Sequence, residues 1–350
     1  MKHVSFHMLR FFFCRIRHRM SMVMRMKTRE KSDSIFLPLC VGLLLWFLSD
    51  AGHVRQAAAE ALKLCAASVI PALFPFLVVT GTLISLGFGD WAAPLLSPLM
   101  TPLFRLPGQA GGALVLGFFG GYPIGAKTAA ELYKTGALTR DEAERLLGFC
   151  NNANPAFLIS VLGSGVFGSV RAGIWLLLIH VLSALLTGLL FRNSPGASRE
   201  KGVSQSKGEA FQGDRNGFSS LVIGKKRGVF SAFVESVGNA AMTILRVCAF
   251  VVFFYILAFP LRAMGGRRAM LSVGLLELFS LTPLLTRDTF GFVTAAACSA
   301  FGGLGVLCQT AAALEDSGLS PGNCALGKII QGVLAGLIAA GLLCLKMIRF

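Results

Sequence analysis

The stretch "GGYPIGAKTAAELYKTG", residues 120–136, decides how this chain is read. Small residues followed by a lysine and a threonine imitate a phosphate-binding loop, but the spacing is wrong. A G-x-x-x-x-G-K-[ST] loop has its lysine directly after the second glycine, whereas here Gly125 is followed by Ala126 and only then by Lys127 and Thr128. The other reading is a helix broken inside a membrane. Pro123 has no amide proton and clashes with the preceding turn, and Gly120, Gly121 and Gly125 each weaken helix propagation by about 1 kcal/mol relative to alanine. The apolar run before them is expected to stop near Gly121, and a second helix to begin near Ile124 or Gly125.

The rest of the chain has membrane composition. Of its 350 residues 54% are hydrophobic and only 14% charged, with a mean hydropathy of +0.69, which excludes a soluble enzyme. The clearest span is "AGIWLLLIHVLSALLTGLLF", residues 172–191, uncharged unless His180 protonates and long enough as a helix to cross about 30 Å of hydrocarbon. Further spans are read at 35–48, 66–88, 110–126, 245–261, 290–307 and 329–345.

Net charge is +16, but the basic residues gather in flanks and linkers without interleaved aromatics, so no nucleic acid is expected as a partner. Residues 1–34 form a basic segment that the positive-inside rule makes cytoplasmic; it is followed by an uncleaved first span, with a start at Met20, Met22, Met24 or Met26 as the shorter alternative. The nine cysteines form no C-x-x-C pair and read as small buried hydrophobes. The histidines lack metal-ligand spacing, so neither a metal nor a cofactor is implied. His180 is expected to pack or to hydrogen-bond between helices.

Residues 192–228, rich in glycine, serine and charge, read as a flexible cytoplasmic linker between a first transmembrane repeat at 35–191, which includes an extra first span, and a second at 229–350. The halves are related: an offset of 182 residues lays "FGGYPIGAKTAAELYKTG" (119–136) on "FGGLGVLCQTAAALEDSG" (301–318), with eight identities and no gap. An internal repeat in a membrane protein suggests a transporter. With the N-terminus and the linker both inside, four crossings lie between them. The repeats are then inverted, and the segments 91–106 and 155–167 become short re-entrant hairpins. "RAMGGRR", residues 262–268, would face outward against the charge rule.

Breaks at membrane depth survive only where protein or water satisfies the backbone, so the candidate site is placed there. Lys127 falls in the first turn of the second half-helix, an electropositive place where a cation calls for an anion: Glu131 four residues on, or a bound anionic substrate. "CNNANPAF", residues 150–157, marks a second break. Asn154 before Pro155 is a good helix start, and Asn151 and Asn152 add amide groups suited to a carboxylate or a heterocycle, or else form an interfacial turn. Between the breaks, "LTRDEAERLLGF", residues 138–149, reads as a short surface helix with Thr139 and Glu142 as a capping box and its charges solvated. Glu277, alone in an apolar segment, either pairs with a nearby basic group such as Arg246 or couples transport to a proton or cation, and Pro283 marks a further interruption. Gln309, Thr310 and Thr128 are repeat-related polar residues for the same cavity, although the threonines can bond back to their own helices.

Residues 120–169 resemble the sporulation integral membrane proteins of the YlbJ (SpoVV) type, which carry the nucleoside-recognition Gate domain. The G-Y-P-x-G-A-K block and the C-N-N block stand in the expected order; Ala153-Asn154 departs from the Ser or Thr with Gly expected after the paired asparagines. The resemblance implies a role in endospore formation, carrying dipicolinic acid from the mother cell across the outer forespore membrane. Residues alone give only a transporter, for an anion.

The expected fold is therefore all-α: a polytopic membrane protein of two inverted repeats with broken helices and re-entrant hairpins. Its expected function is transport, without catalysis, of dipicolinate or a similar small aromatic anion, with a nucleoside transporter or a non-transporting sporulation scaffold as alternatives. Expected substrate contacts are Tyr122, Lys127, Thr128, Asn151, Asn152, Asn154, Gln309 and Thr310, with Glu131 and Glu277 as charge partners or coupling groups. The remaining expected partner is the lipid bilayer, with homo-oligomerisation left open.

Overall fold

A computed structural model of the chain describes residues 36–193 and 228–348; the basic N-terminal segment and nearly all of the linker expected at 192–228 lie outside these. Every regular element among the described residues is helical. Two units are distinguished, residues 1–56 and 57–350. Within the first, α1, Phe36–Ser49, is an apolar helix of fewer than 18 described residues in the segment read as the first span.

An apolar helical stretch of 35 residues, Ala51–Ser85, consists of α2 (Ala51–Leu64), a π-helical turn and α3 (Ile70–Ser85). The segment expected as a re-entrant piece near 91–106 is α4, Phe88–Phe104, which stays helical through Pro94, Pro98 and Pro102 and packs along α5, Gly108–Gly120. Glycine makes that approach possible, because a Cβ on Gly111 would lie 2.6 Å from the Leu96 Cβ.

After α5 come α6 (Ile124–Lys134), α7 (Arg140–Cys150), a π-helical segment Phe157–Val166 folded back on the next helix, and α8 (Val170–Phe191). Thr139 and Glu142 form the expected capping box at the start of α7. The expectation that this helix's charges are all solvated fails at Arg145. Its side chain is buried, donates to the carbonyls of Phe104, Arg105 and Arg192 at 3.2–3.4 Å, and pairs with Asp141 at 3.3 Å. The carbonyls left over where α4 and α8 end need a donor, and a guanidinium reaches several at once.

The second half runs α9 (Val229–Ala258), a 3-10 turn, α10 (Gly266–Leu276), α11 (Leu278–Leu281), a second 3-10 turn at Thr282–Leu284, α12 (Thr289–Phe301), α13 (Gly303–Leu314) and α14 (Gly322–Cys344). Pro283 lies in that second turn, where an interruption was expected. Five helical stretches among the described residues are long and apolar enough to cross a membrane. The 182-residue offset recurs in the backbone: Gly121 and Gly303 have φ of 75° and 81°, and Gly136 and Gly318 have 77° and 68°. One pair of helices related by this offset also packs together, α6 on α13.

Candidate functional site

The chain between α5 and α6 is unwound, as its glycines and proline require. Gly121 closes α5 by donating to the Gly117 carbonyl at 3.2 Å, and α6 restarts when the Ile124 amide reaches Gly121 O at 2.8 Å. Tyr122 and Ile124, two residues apart, turn to different cavities. No strand accompanies the break among the described residues, so the strand-loop-helix setting of a phosphate loop is missing.

The first cavity lies between α6, α3 and α9. Lys127, Thr128 and Glu131 line it from α6, Leu77 and Ile84 from α3, and Asn239 and Thr243 from α9. The Lys127 ammonium donates to Thr243 Oγ1 at 2.9 Å. Thr128 donates to the Ile124 carbonyl at 2.9 Å, back onto its own helix, so its hydroxyl proton is already committed.

The second cavity has Tyr122, Asn154, Glu277 and Gln309 in its wall, with Leu73 and Phe157 as apolar lining. Asn154 starts its helix as its sequence promises: Oδ1 accepts the Phe157 amide at 2.8 Å, while Nδ2 donates to the Ala72 carbonyl at 2.8 Å. Tyr122 Oη donates to Ser299 O at 3.0 Å. Glu277 does not pair with Arg246. It is extended between α10 and α11, and its carboxylate accepts the Phe279 amide at 2.9 Å and the Ser280 amide. Backbone dipoles at the helix start meet its charge instead, because two amides there have no carbonyl to reach.

Asn151, Asn152 and Thr310 line neither cavity. They belong to a buried polar network behind the second one. Asn151 Nδ2 donates to Thr310 Oγ1 at 2.8 Å, and Thr310 in turn donates to Val306 O at 2.8 Å. Asn152 Nδ2 donates to the Phe149 carbonyl, and its Oδ1 accepts from Gln331 at 3.0 Å and from the Lys328 ammonium at 3.4 Å. His180 bonds between helices as expected, its carbonyl accepting from Gln331 of α14 at 3.4 Å, while its Nε2 accepts the amide of Ala153 in the unwound segment at 3.2 Å.

The ten residues read from sequence therefore do not form one site. Lys127, Thr128 and Glu131 share the first cavity; Tyr122, Asn154, Gln309 and Glu277 share the second; Asn151, Asn152 and Thr310 hold the wall behind it. Lys328 and Gln331, wholly buried on α14, were missed. Their signal was the one that singled out His180, an ionisable or polar group in a membrane-length apolar run.

Residues 66–191 match the Gate family, described as nucleoside recognition. The chain is 33% identical over 189 residues to the sporulation integral membrane protein YlbJ of Bacillus subtilis (strain 168), in an alignment covering 53% of this chain and 46% of that protein, so it spans about half the length of that curated relative. No solved structure matches it significantly. The matched region includes both unwound segments, 121–123 and 151–154, but not Glu277, Gln309 or Lys328. This is thus an integral, multi-pass membrane protein in which residues 66–191 form a region similar to the Gate nucleoside-recognition family.

Proposed function

We propose that the protein transports a small aromatic anion, dipicolinate or a close analogue, across the outer forespore membrane of a spore-forming bacterium, using two inverted repeats to alternate access. One observation carries the reading: a lysine at the start of a half-helix reaches into a cavity lined by helices from both halves of the chain, α3 and α6 from the first and α9 from the second. A flat pyridine dicarboxylate wants a cation and hydrogen-bond donors for its carboxylates, and Lys127, Thr243 and Asn239 can supply them. Similarity to a sporulation membrane protein supports the biological setting.

The experiment is dipicolinate uptake into proteoliposomes. Lys127→Ala is expected to reduce uptake by about tenfold or more, the cost of one charge-assisted contact, while the protein stays monodisperse in detergent. Unchanged uptake would remove Lys127 from the site.

A second reading is favoured by the second cavity. Tyr122, Asn154, Gln309 and Glu277 offer a ring, two amides and a carboxylate, a set that suits an uncharged heterocycle with hydroxyl groups better than an anion. The Gate match supports it. Competition of dipicolinate uptake by uridine separates the two readings. A non-transporting scaffold would show no flux of either.

A further inference from the structure

Lys328 lies near the start of α14 with no solvent exposure. Its Nζ donates to Gln331 Oε1 at 2.5 Å and to Asn152 Oδ1 and Ala300 O at 3.4 Å each, and lies 5.1 Å from the centroid of the Tyr122 ring. No carboxylate among the described residues bonds to it. The titratable groups facing it are His180 on α8, Cys150 at the end of α7, Cys324 one turn earlier on α14, and Tyr122 in the break. From α12 comes the Ala300 carbonyl, and Arg145 of α7 is turned to the ends of α4 and α8.

This surrounding suits both charge states of one nitrogen. A neighbouring carboxylate would pin an ammonium in its charged form; here three neutral oxygens and an aromatic face hold the cation. The same amide oxygens still accept from a neutral amine. Lysine, unlike arginine, gives up its proton readily when removed from water. The network also keeps unused capacity, since His180 Nδ1 and Asn151 Oδ1 are buried without a partner. Its position links charge to shape: Asn152 precedes Ala153 and Asn154, which line the second cavity, and Tyr122 lines that cavity too. An ammonium pulls on both the unwound segment and the ring, and a neutral amine relaxes that pull.

We propose that Lys328 binds and releases the proton that drives transport. The amine takes H⁺ from water on one side of the membrane and returns it to water on the other, once per cycle, so charge and atoms balance without a further reactant. The proposal rests on the transport reading above, and its test keeps the two apart.

Wild-type protein and Lys328→Met are reconstituted in vesicles containing a pH-sensitive dye and assayed with labelled dipicolinate in two modes. Counterflow exchange without a gradient reports transport alone. Accumulation under a pH gradient of about one unit, worth up to about tenfold per proton, reports coupling together with substrate-induced pH change. Wild type is expected to show all three; Lys328→Met is expected to keep exchange and lose both the accumulation and the proton movement. Retention of proton-driven accumulation by Lys328→Met overturns the proposal. So does loss of exchange in monodisperse Lys328→Met and Lys328→Gln alike, which would assign the residue to substrate binding or to structure. Absence of exchange in wild type removes the transport reading and the coupling with it.

Discussion

The side-chain amide of Asn151 donates to the hydroxyl of Thr310 at 2.8 Å across 159 positions of sequence, joining the unwound end of α7 to α13 in the second half of the chain. The hydroxyl donates its own hydrogen bond to Val306 O, so the Asn151 amide relies on the hydroxyl oxygen as its acceptor in a fully buried place. Removing either leaves a polar atom in an apolar surrounding, which costs more than the bond itself gains. A double-mutant cycle with Asn151→Ala and Thr310→Val is expected to give a coupling of about 1 kcal/mol by thermal unfolding in detergent. Additive effects would mean that the two halves are not held together here.

Close backbone contact at the breaks gives a second prediction. A Cβ on Gly117 or Gly125 would collide with the Cys150 carbonyl oxygen, whereas one on Gly238 would meet nothing within 4 Å. Gly117→Ala and Gly125→Ala should lower the monodisperse yield sharply, because the obstacle is main chain and cannot rotate away. Gly238→Ala should behave as wild type. Fluorescence-detected size exclusion compares the three.

Glu277 caps the start of α11 with its carboxylate. Glu277→Ala should cost about 1–2 kcal/mol of stability, as for other lost helix caps, and Glu277→Gln less because one acceptor oxygen remains. If the second cavity takes an uncharged heterocycle, Glu277→Gln will weaken competition by uridine while leaving dipicolinate uptake intact. Equal effects on both substrates would place them in one site.

Arg145 closes two helix ends together. Arg145→Met should lower stability by about 2 kcal/mol or more, since three carbonyls lose a charged donor. Arg145→Lys should recover little, because a single ammonium cannot reproduce the spread of a guanidinium. Scanning fluorimetry of the two variants tests this, and full rescue by lysine would show that charge alone matters.

Much of the local structure was legible. The stop at Gly121 and the restart at Ile124 follow from glycine and proline within four residues, and the Asn154 cap and the Thr139–Glu142 box involve partners three positions apart. The partners of Arg145 and Glu277 were not legible for the same reason as each other: a charge in sequence shows its neighbours in the chain, but these partners are main-chain groups exposed by helices ending elsewhere, or by the residue's own helix beginning. Lys328 carried a visible signal, yet its acceptor Asn152 is 176 residues away, so no spacing rule could connect them.

By itself the sequence determined that the chain lives in a membrane, that it is helical, and where its helices break, because hydropathy, glycine and proline act within one or two turns. Only the tertiary structure decided which polar groups meet. Tyr122 and Ile124 are two residues apart but face different cavities, and Leu73 and Leu77, one turn apart on α3, divide the same way. Lys127 is thereby parted from the asparagines it was expected to join, since the wall between the cavities is built by the packing of α3, α9 and the break, which no local pattern encodes.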